Sequence, residues 1–167
     1  MSPLGVLISL GLDCWSTIFL GFRKRWIRRE DIFEYAMSQL LNGCESESVA
    51  IIAGGEYLSD EELLEVISKQ TEMTNYVAEM DKWRLAFLLC IEASNDNDEN
   101  KINRLQEVYA DFDYPEDMAS CSIYSQDGVD PLVAMSQVVK KLRESFCPDN
   151  FMVQKDGHGK GEGLARK

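Results

Sequence analysis

The stretch "DNDENKINRLQE", residues 96–107, has the spacing of a calcium-binding loop. Its oxygen ligands would stand at loop positions 1, 3, 5 and 12, namely Asp96, Asp98, Asn100 and Glu107. Position 6, however, is Lys101, where the sharp turn of such a loop needs glycine. Hydrophobic residues also recur with helical spacing from Ile102 onward. We therefore predict an acidic loop and a helix that starts at about Asn100, with Glu107 exposed, and no metal site.

Other residues that could perform catalysis are sparse. His158 is the only histidine and lies in the glycine-rich C-terminal string "GHGKGEG", which also lacks the phosphate-loop pattern. Carboxylate pairs such as Glu61/Glu65 and Asp111/Asp113 lie in hydrophilic stretches, whereas acid–base catalysis needs one desolvated carboxyl. We expect a protein that is not an enzyme and that binds no cofactor.

The cysteines and the N-terminus indicate a cytoplasmic protein. The five cysteines are odd in number, scattered and without a CxxC pair, so neither a disulfide framework nor a zinc site is expected: Cys14, Cys44, Cys90, Cys121 and Cys147. The apolar run at residues 4–12 is interrupted by glycine and lacks a basic flank. It is too short to cross a bilayer, and we predict a buried strand or irregular core segment there.

Charge is distributed unevenly along the chain, whose formal net charge is −12. Residues 1–29 carry five bases and one acid, residues 30–130 carry 24 acids and five bases, and residues 131–167 carry seven bases and four acids. The acidic middle repels nucleic acid and favours basic protein partners. The alternative is that this acidity serves solubility alone.

Two charged segments could form binding surfaces. The basic run "FRKRWIRRE" around Trp26 could contact phosphates and stack a base, but the overall charge opposes nucleic-acid binding. The segment "YADFDYPED", residues 109–117, interleaves aromatic and acidic residues at a predicted helix end. We predict that it contributes to a surface that binds a basic protein. The candidate contacts are Asp96, Asp98, Glu99, Asp111, Asp113, Tyr114, Glu116 and Asp117. The alternative is an ordinary acidic turn.

Helical periodicity dominates the chain and predicts an all-α fold. The clearest helix signals are the capping box Ser59/Glu62, the Asp130-Pro131 start, and a nearly all-apolar helix that opens at Asp81. Asp13 is the predicted cap of an earlier helix, and residues 116–129 read as a loop. We predict one domain, residues 1–150, with six to seven helices packed as an irregular bundle or an array of helical hairpins, and a flexible basic tail at residues 151–167.

Several segments together resemble one family of small bacterial helical proteins: "FLGFRKRWIRREDIFEYAMSQLL", "SDEELLEVI", "DKWRLAFLLCIEAS" and "NKINRLQEVYADFDYPEDM". The resemblance covers roughly residues 15–146 of a family catalogued mainly as of unknown function. Some of its members look like immunity proteins of polymorphic toxin systems, including contact-dependent growth inhibition. No interface residues can be carried over, because toxin-facing positions differ between members.

The resemblance implies that the chain binds the toxic C-terminal domain of a cognate effector, often a basic nuclease, and blocks its substrate. The expected partner is therefore this toxin domain, with no direct contact to nucleic acid or membrane. A helical adaptor with another basic partner is the main alternative, and a hydrolase with paired carboxylates is a third. The sequence leaves the oligomeric state open.

Overall fold

The computed structural model describes residues 1–71 and 75–147, which fold into eight α-helices without any strand. The helices are α1 (Pro3–Ser9), α2 (Trp15–Arg23), α3 (Arg29–Leu41), α4 (Glu47–Ala53), α5 (Asp60–Ser68), α6 (Tyr76–Glu92), α7 (Asp98–Asp111) and α8 (Pro131–Phe146). Two 3₁₀ turns lie at Gly55–Tyr57 and Glu116–Cys121. The all-α prediction is confirmed, although six to seven helices were too few. The predicted tail, residues 151–167, lies outside the described residues.

The N-terminal run is a helix, so the prediction of a strand or irregular segment was wrong. Ser2 caps α1 by accepting a hydrogen bond from the Gly5 amide at 3.1 Å, and Pro3 occupies the first helical position. The buried side chains of α1 pack against α6. In the described residues no helix combines the length and apolarity that a membrane crossing requires.

Most helix boundaries follow the local capping signals. Ser59 and Glu62 form the predicted capping box at the start of α5, with backbone-to-side-chain bonds of 2.8 and 3.2 Å. Two starts differ from the prediction. Cys14, and not Asp13, occupies the cap position of α2. α6 begins five residues before Asp81, because the Asn75 side chain caps it by accepting from the Val77 amide. The 3₁₀ turn at Glu116–Cys121 lies within the predicted loop.

Helix α6 forms the centre of the fold. It packs against α1, α2, α7 and α8, which come from both ends of the chain, so these helices form an irregular bundle around α6. Helices α3 and α4 pack on each other, and α5 joins them to α2. Trp83 is completely buried, and its indole Nε1 donates to the Thr17 carbonyl at 3.0 Å. A Cβ at Gly21 would lie 2.3 Å from the Trp83 ring. The close approach of α2 to α6 therefore requires glycine.

An aromatic cluster joins α6 to the ends of α2 and α7. Trp26 stacks on Phe112 with centroids 5.1 Å apart, and it also contacts Trp83 and Phe87 at 5.5 Å each. These contacts fix the C-terminal end of α7 against the core. They also hold the Trp26 ring, which is therefore not free to stack on a nucleic-acid base.

Candidate functional site

The stretch that resembles a calcium loop is the start of α7. The Asn97 side chain caps the helix by accepting from the Asn100 amide at 2.9 Å, so the backbone is helical from Asp98, two residues before the predicted start. Asp96 forms an ion pair with Arg104 at 3.0 Å. The interpretation as an acidic helix start is confirmed. Among the described residues no cluster of three or more His, Cys, Asp or Glu side chains is arranged to hold a metal ion.

The solvent side of α7 carries a row of acidic side chains. Exposed residues recur at intervals of four, namely Glu99, Asn103, Glu107 and Asp111. Leu105 and Val108 are buried on the opposite side. Because residues four apart are neighbours on a helix, the exposed carboxylates lie along one face. Glu107 is a member of this face that the prediction did not include among the candidate contacts.

The end of α7 leads into a segment that we call the acidic turn, residues 111–117. The Asp113 amide donates to the Ala110 carbonyl at 3.0 Å, and the Tyr114 amide donates to the Tyr109 carbonyl at 2.9 Å. These two bonds define a Schellman motif, in which the first residue beyond the cap is left-handed and is usually glycine. Here it is Asp113, with φ 60°, and Tyr114 follows with φ 52°. The left-handed conformation is costly for Tyr114, and aspartate tolerates it better than most residues but less freely than glycine.

The same pair of hydrogen bonds closes three other helices, which provides an internal comparison. The left-handed residue is Gly11 after α1, Arg25 after α2 and Gly43 after α3, with φ of 67°, 61° and 94°. Glycine adopts this conformation without strain, and a cation suits the negative end of a helix dipole. Asp113 has neither advantage, and Asp111 places a second carboxylate at the same helix end. The acidic turn is therefore unfavourable for local stability.

The acidic turn is nonetheless held firmly at both ends. Phe112 lies in the aromatic cluster, and the guanidinium of Arg84, a buried residue of α6, bonds the carboxylate of Asp117. The second terminal nitrogen of Arg84 bonds Asp81 at 2.9 Å. The ring of Tyr114 packs edge-on against Tyr109 with centroids 5.1 Å apart, yet Tyr114 remains 62% exposed. The side chains between these anchors are presented on a rigid backbone.

The structure brings together five of the eight predicted contact residues and separates the other three. Asp111, Asp113, Tyr114, Glu116 and Asp117 belong to the acidic turn. Asp96, Asp98 and Glu99 lie at the opposite end of α7, roughly 20 Å away at 1.5 Å per residue. Asp96 and Asp117 are neutralised by arginines. No ion pair with another described residue involves the remaining carboxylates, which are Asp98, Glu99, Asp111, Asp113 and Glu116.

A buried polar cluster between α2 and α6 was not predicted. Glu79 is 4% exposed, and its carboxylate accepts a hydrogen bond from the Thr17 hydroxyl at 2.7 Å. The same carboxylate forms an ion pair with Lys82 at 2.8 Å, and the Cys14 thiol lies 3.7 Å away. Thr17 and Glu79 are 62 residues apart, so no local pattern indicates their contact. The cluster is internal and ties the two helices together.

A concave surface lies between α1, α3 and the start of α2. Two adjoining cavities of about 330 and 390 Å³ share Asp13, Tyr35 and Gln39 in their lining. Burial raises the pKa of the Tyr35 phenol above its ordinary value, and the hydrogen-bonded carboxylate of Asp13 adds to this effect. The groove therefore presents a neutral tyrosine, amide groups and the carboxylates of Asp13, Asp31 and Glu34. None of the predicted contact residues lines it.

The five cysteines all belong to the described residues and are free thiols. Burial raises the pKa of the Cys121 thiol to about 11, with a further contribution from Asp117, and burial also raises the pKa of Cys90. Because the thiolate is the reactive form, these two thiols are unreactive near neutral pH.

The fold and the surface define an all-α protein with an acidic turn and an acidic helix face exposed to solvent. The chain matches, over residues 11–146, the model of a family described as "Uncharacterized protein conserved in bacteria (DUF2247)", and it belongs to that bacterial family. No curated protein and no solved structure matches it.

Proposed function

We propose that the protein is a non-enzymatic immunity protein, which binds and neutralises the basic toxin domain of a cognate effector in the cytoplasm. One observation carries the proposal, namely the position of Asp111, Asp113 and Glu116 in the acidic turn. Their carboxylates form no ion pair with another described residue, they lie at a helix end where they disfavour folding, and the core holds their backbone rigid. Residues retained at a cost to stability are typical of functional surfaces.

The chemistry of the surface favours a cationic protein as the partner. Residues 105–139 contain seven acids and no base, and Arg84 neutralises only Asp117 among them. A nuclease surface that binds phosphates is rich in lysine and arginine. Carboxylates on a rigid acidic turn would compete with phosphates for those cations and exclude the substrate. Mutual attraction would also speed the encounter of the two proteins.

The resemblance to immunity proteins favours a toxin over another basic partner, whereas the surface itself fits both. The alternative of a helical adaptor uses the same surface, since it too requires a cationic protein. The two functions differ in what happens to a cell that produces the toxin. Neutralisation protects the cell, whereas binding by an adaptor does not.

If the proposal holds, a cognate toxin is expected to be encoded beside the gene for this protein, and the test is co-expression with that toxin domain. Bacteria that produce the toxin domain alone are expected to stop growing, and growth should be restored by the wild-type protein, which should co-purify with the toxin domain. The proposal is wrong if growth is not restored and no complex survives purification. A complex that forms without restoring growth would favour the adaptor.

A further inference from the structure

A second feature lies beside the acidic face of α7, in the connection from the 3₁₀ turn at Glu116–Cys121 to α8. We call residues 122–129 the anchor loop. It exposes two adjacent large apolar residues, Ile123 at 53% and Tyr124 at 85%, and Val129 is also exposed at its end. Single exposed apolar side chains are common, but adjacent ones on an ordered loop are a frequent basis for binding energy.

The anchor loop is braced from within by short polar side chains. The Tyr124 amide donates to the Ser122 hydroxyl at 3.1 Å. The Asp127 carboxylate accepts from the Val129 amide at 3.0 Å and from the Ser120 hydroxyl at 2.5 Å. These bonds replace the regular pairing that a loop lacks, so the backbone of the anchor loop has little freedom to rearrange.

Helix α7 supplies the external brace. Gln106 donates from Nε2 to the Cys121 carbonyl at 2.8 Å, and its Oε1 accepts from the Ile123 amide at 3.2 Å. Gln106 immediately precedes Glu107 of the acidic face. Gln106 therefore attaches the anchor loop directly to the helix that carries the acidic face.

On the basis of the proposed function, we propose that Tyr124 and Ile123 are the apolar anchors of the interface, and that they insert into an apolar pocket bordered by cations on the basic toxin domain. The negative charge of this surface favours a basic protein as the occupant. The loop and the C-terminal half of α7, from Leu105 onward, belong to the stretch of seven acids without a base, which repels a nucleic acid and also a second copy of this chain. A rigid loop loses little conformational entropy on binding, so its aromatic side chain yields more net affinity.

The test measures binding of the purified toxin domain encoded beside this gene to Tyr124→Ala. Because Tyr124 is exposed, this variant should unfold at the same urea concentration as the wild type. We expect its Kd to rise by about 30-fold, mainly through faster dissociation. The matched control is Tyr57→Ala, since Tyr57 is 78% exposed in the 3₁₀ turn before α5. Its Kd should stay within about twofold of the wild-type value.

A second variant, Gln106→Ala, tests the brace without removing an anchor. We expect faster amide hydrogen exchange at Ile123 and a Kd raised several-fold. If Tyr124→Ala binds as tightly as the wild type while charge reversal on α7 weakens binding, the anchor inference is wrong and the proposed function stands. Equal losses in Tyr57→Ala and Tyr124→Ala would also overturn it. If the wild-type protein forms no complex, the proposed function and this inference fail together.

Discussion

At the scale of single residues, the acidic turn combines an unfavourable backbone conformation and an unfavourable charge at one helix end. Asp113 is left-handed without being glycine, and it places a negative charge near the negative end of the α7 dipole. α1 and α3 close with the same hydrogen bonds around glycines. Asp113 is thus a position where the proposed binding function and local stability make opposite demands.

Replacing Asp113 with glycine should therefore stabilise the fold and weaken binding. Asp113→Gly relieves the left-handed strain and the dipole conflict, and we expect the free energy of unfolding to rise by roughly 0.5–1 kcal/mol. Urea unfolding followed by circular dichroism measures it. Arg25→Gly is the matched control at the end of α2, where the lost attraction between cation and dipole offsets part of the gain. A destabilised Asp113→Gly would contradict this account of the acidic turn.

The buried ion pair makes a second prediction at this scale. Lys82→Met leaves the Glu79 carboxylate buried without its cation, so we expect a loss of about 2–3 kcal/mol, since Lys82 is partly exposed. The double variant Glu79→Gln/Lys82→Met removes both charges and should recover much of that loss. Thermal or urea unfolding of the three proteins gives the comparison. A double variant as unstable as Lys82→Met would show that the charge pairing is not the cause.

At the scale of elements, α6 positions the acidic turn. Phe87 contacts Phe112 at the end of α7, and Arg84 bonds Asp117 in the acidic turn. Trp83 acts through Trp26, which stacks on Phe112. Trp83 also packs against α2 at Gly21. Rigid presentation of the carboxylates thus depends on how closely α2 and α6 approach each other.

Gly21→Ala tests this close approach. The new methyl group would lie 2.3 Å from the Trp83 ring, which is fully buried and cannot move without repacking, so we expect a destabilisation of about 1–3 kcal/mol. Gly54→Ala is the matched control, because its new Cβ would have the Ala50 carbonyl as its nearest neighbour at 3.7 Å. It should have a midpoint close to the wild type in a thermal melt. Equal midpoints for the two variants would contradict the packing account.

The anchor loop gives a pH-dependent prediction. The Ser120 hydroxyl, followed by the Val129 amide, holds the pKa of Asp127 below its ordinary value. A depressed folded-state pKa means that this contribution to stability is complete above the unfolded-state pKa of about 3.9 and is lost as the pH falls through the folded-state pKa. Asp127→Asn keeps an acceptor that does not titrate. Urea unfolding between pH 6 and pH 3 should therefore show a shallower loss for the variant, and identical slopes would contradict it.

The structural features that could be predicted from the sequence are those that depend on neighbouring residues. The Ser59/Glu62 capping box and the Asp130-Pro131 start each need only a few consecutive residues, and both are confirmed. Helices α1 and α4 were not predicted. Each has only seven residues, about two turns, which is too short for a helical spacing of hydrophobic residues to be recognised. The pairs Thr17/Glu79 and Arg84/Asp117 are 62 and 33 residues apart, so only the folded chain reveals them.

At the scale of the whole molecule, charge separates into faces. The acidic turn, the anchor loop and the solvent side of α7 form one region without a base between residues 105 and 139. α5 also carries exposed acids, but it packs against α2 and α4 on another part of the bundle. The two acidic regions can therefore be changed separately with the same effect on net charge.

The association rate with the neighbouring toxin domain tests the central claim most directly. We compare the wild type with Glu107→Lys/Asp111→Lys/Glu116→Lys, which spares the left-handed residues. The control of equal net charge reverses exposed acids of α5 and of the 3₁₀ turn before it: Glu56, Glu61 and Glu65. Stopped-flow or biolayer measurements at low and high salt give the rate constants.

We predict that the wild type associates rapidly and slows by at least about tenfold as the salt rises from 50 to 300 mM, since screening shortens electrostatic steering. The control should keep most of that rate, whereas the α7 variant should be slow at both salt concentrations. If the α7 variant and the control slow to the same extent, only net charge matters, and the acidic turn is not the surface that meets the partner.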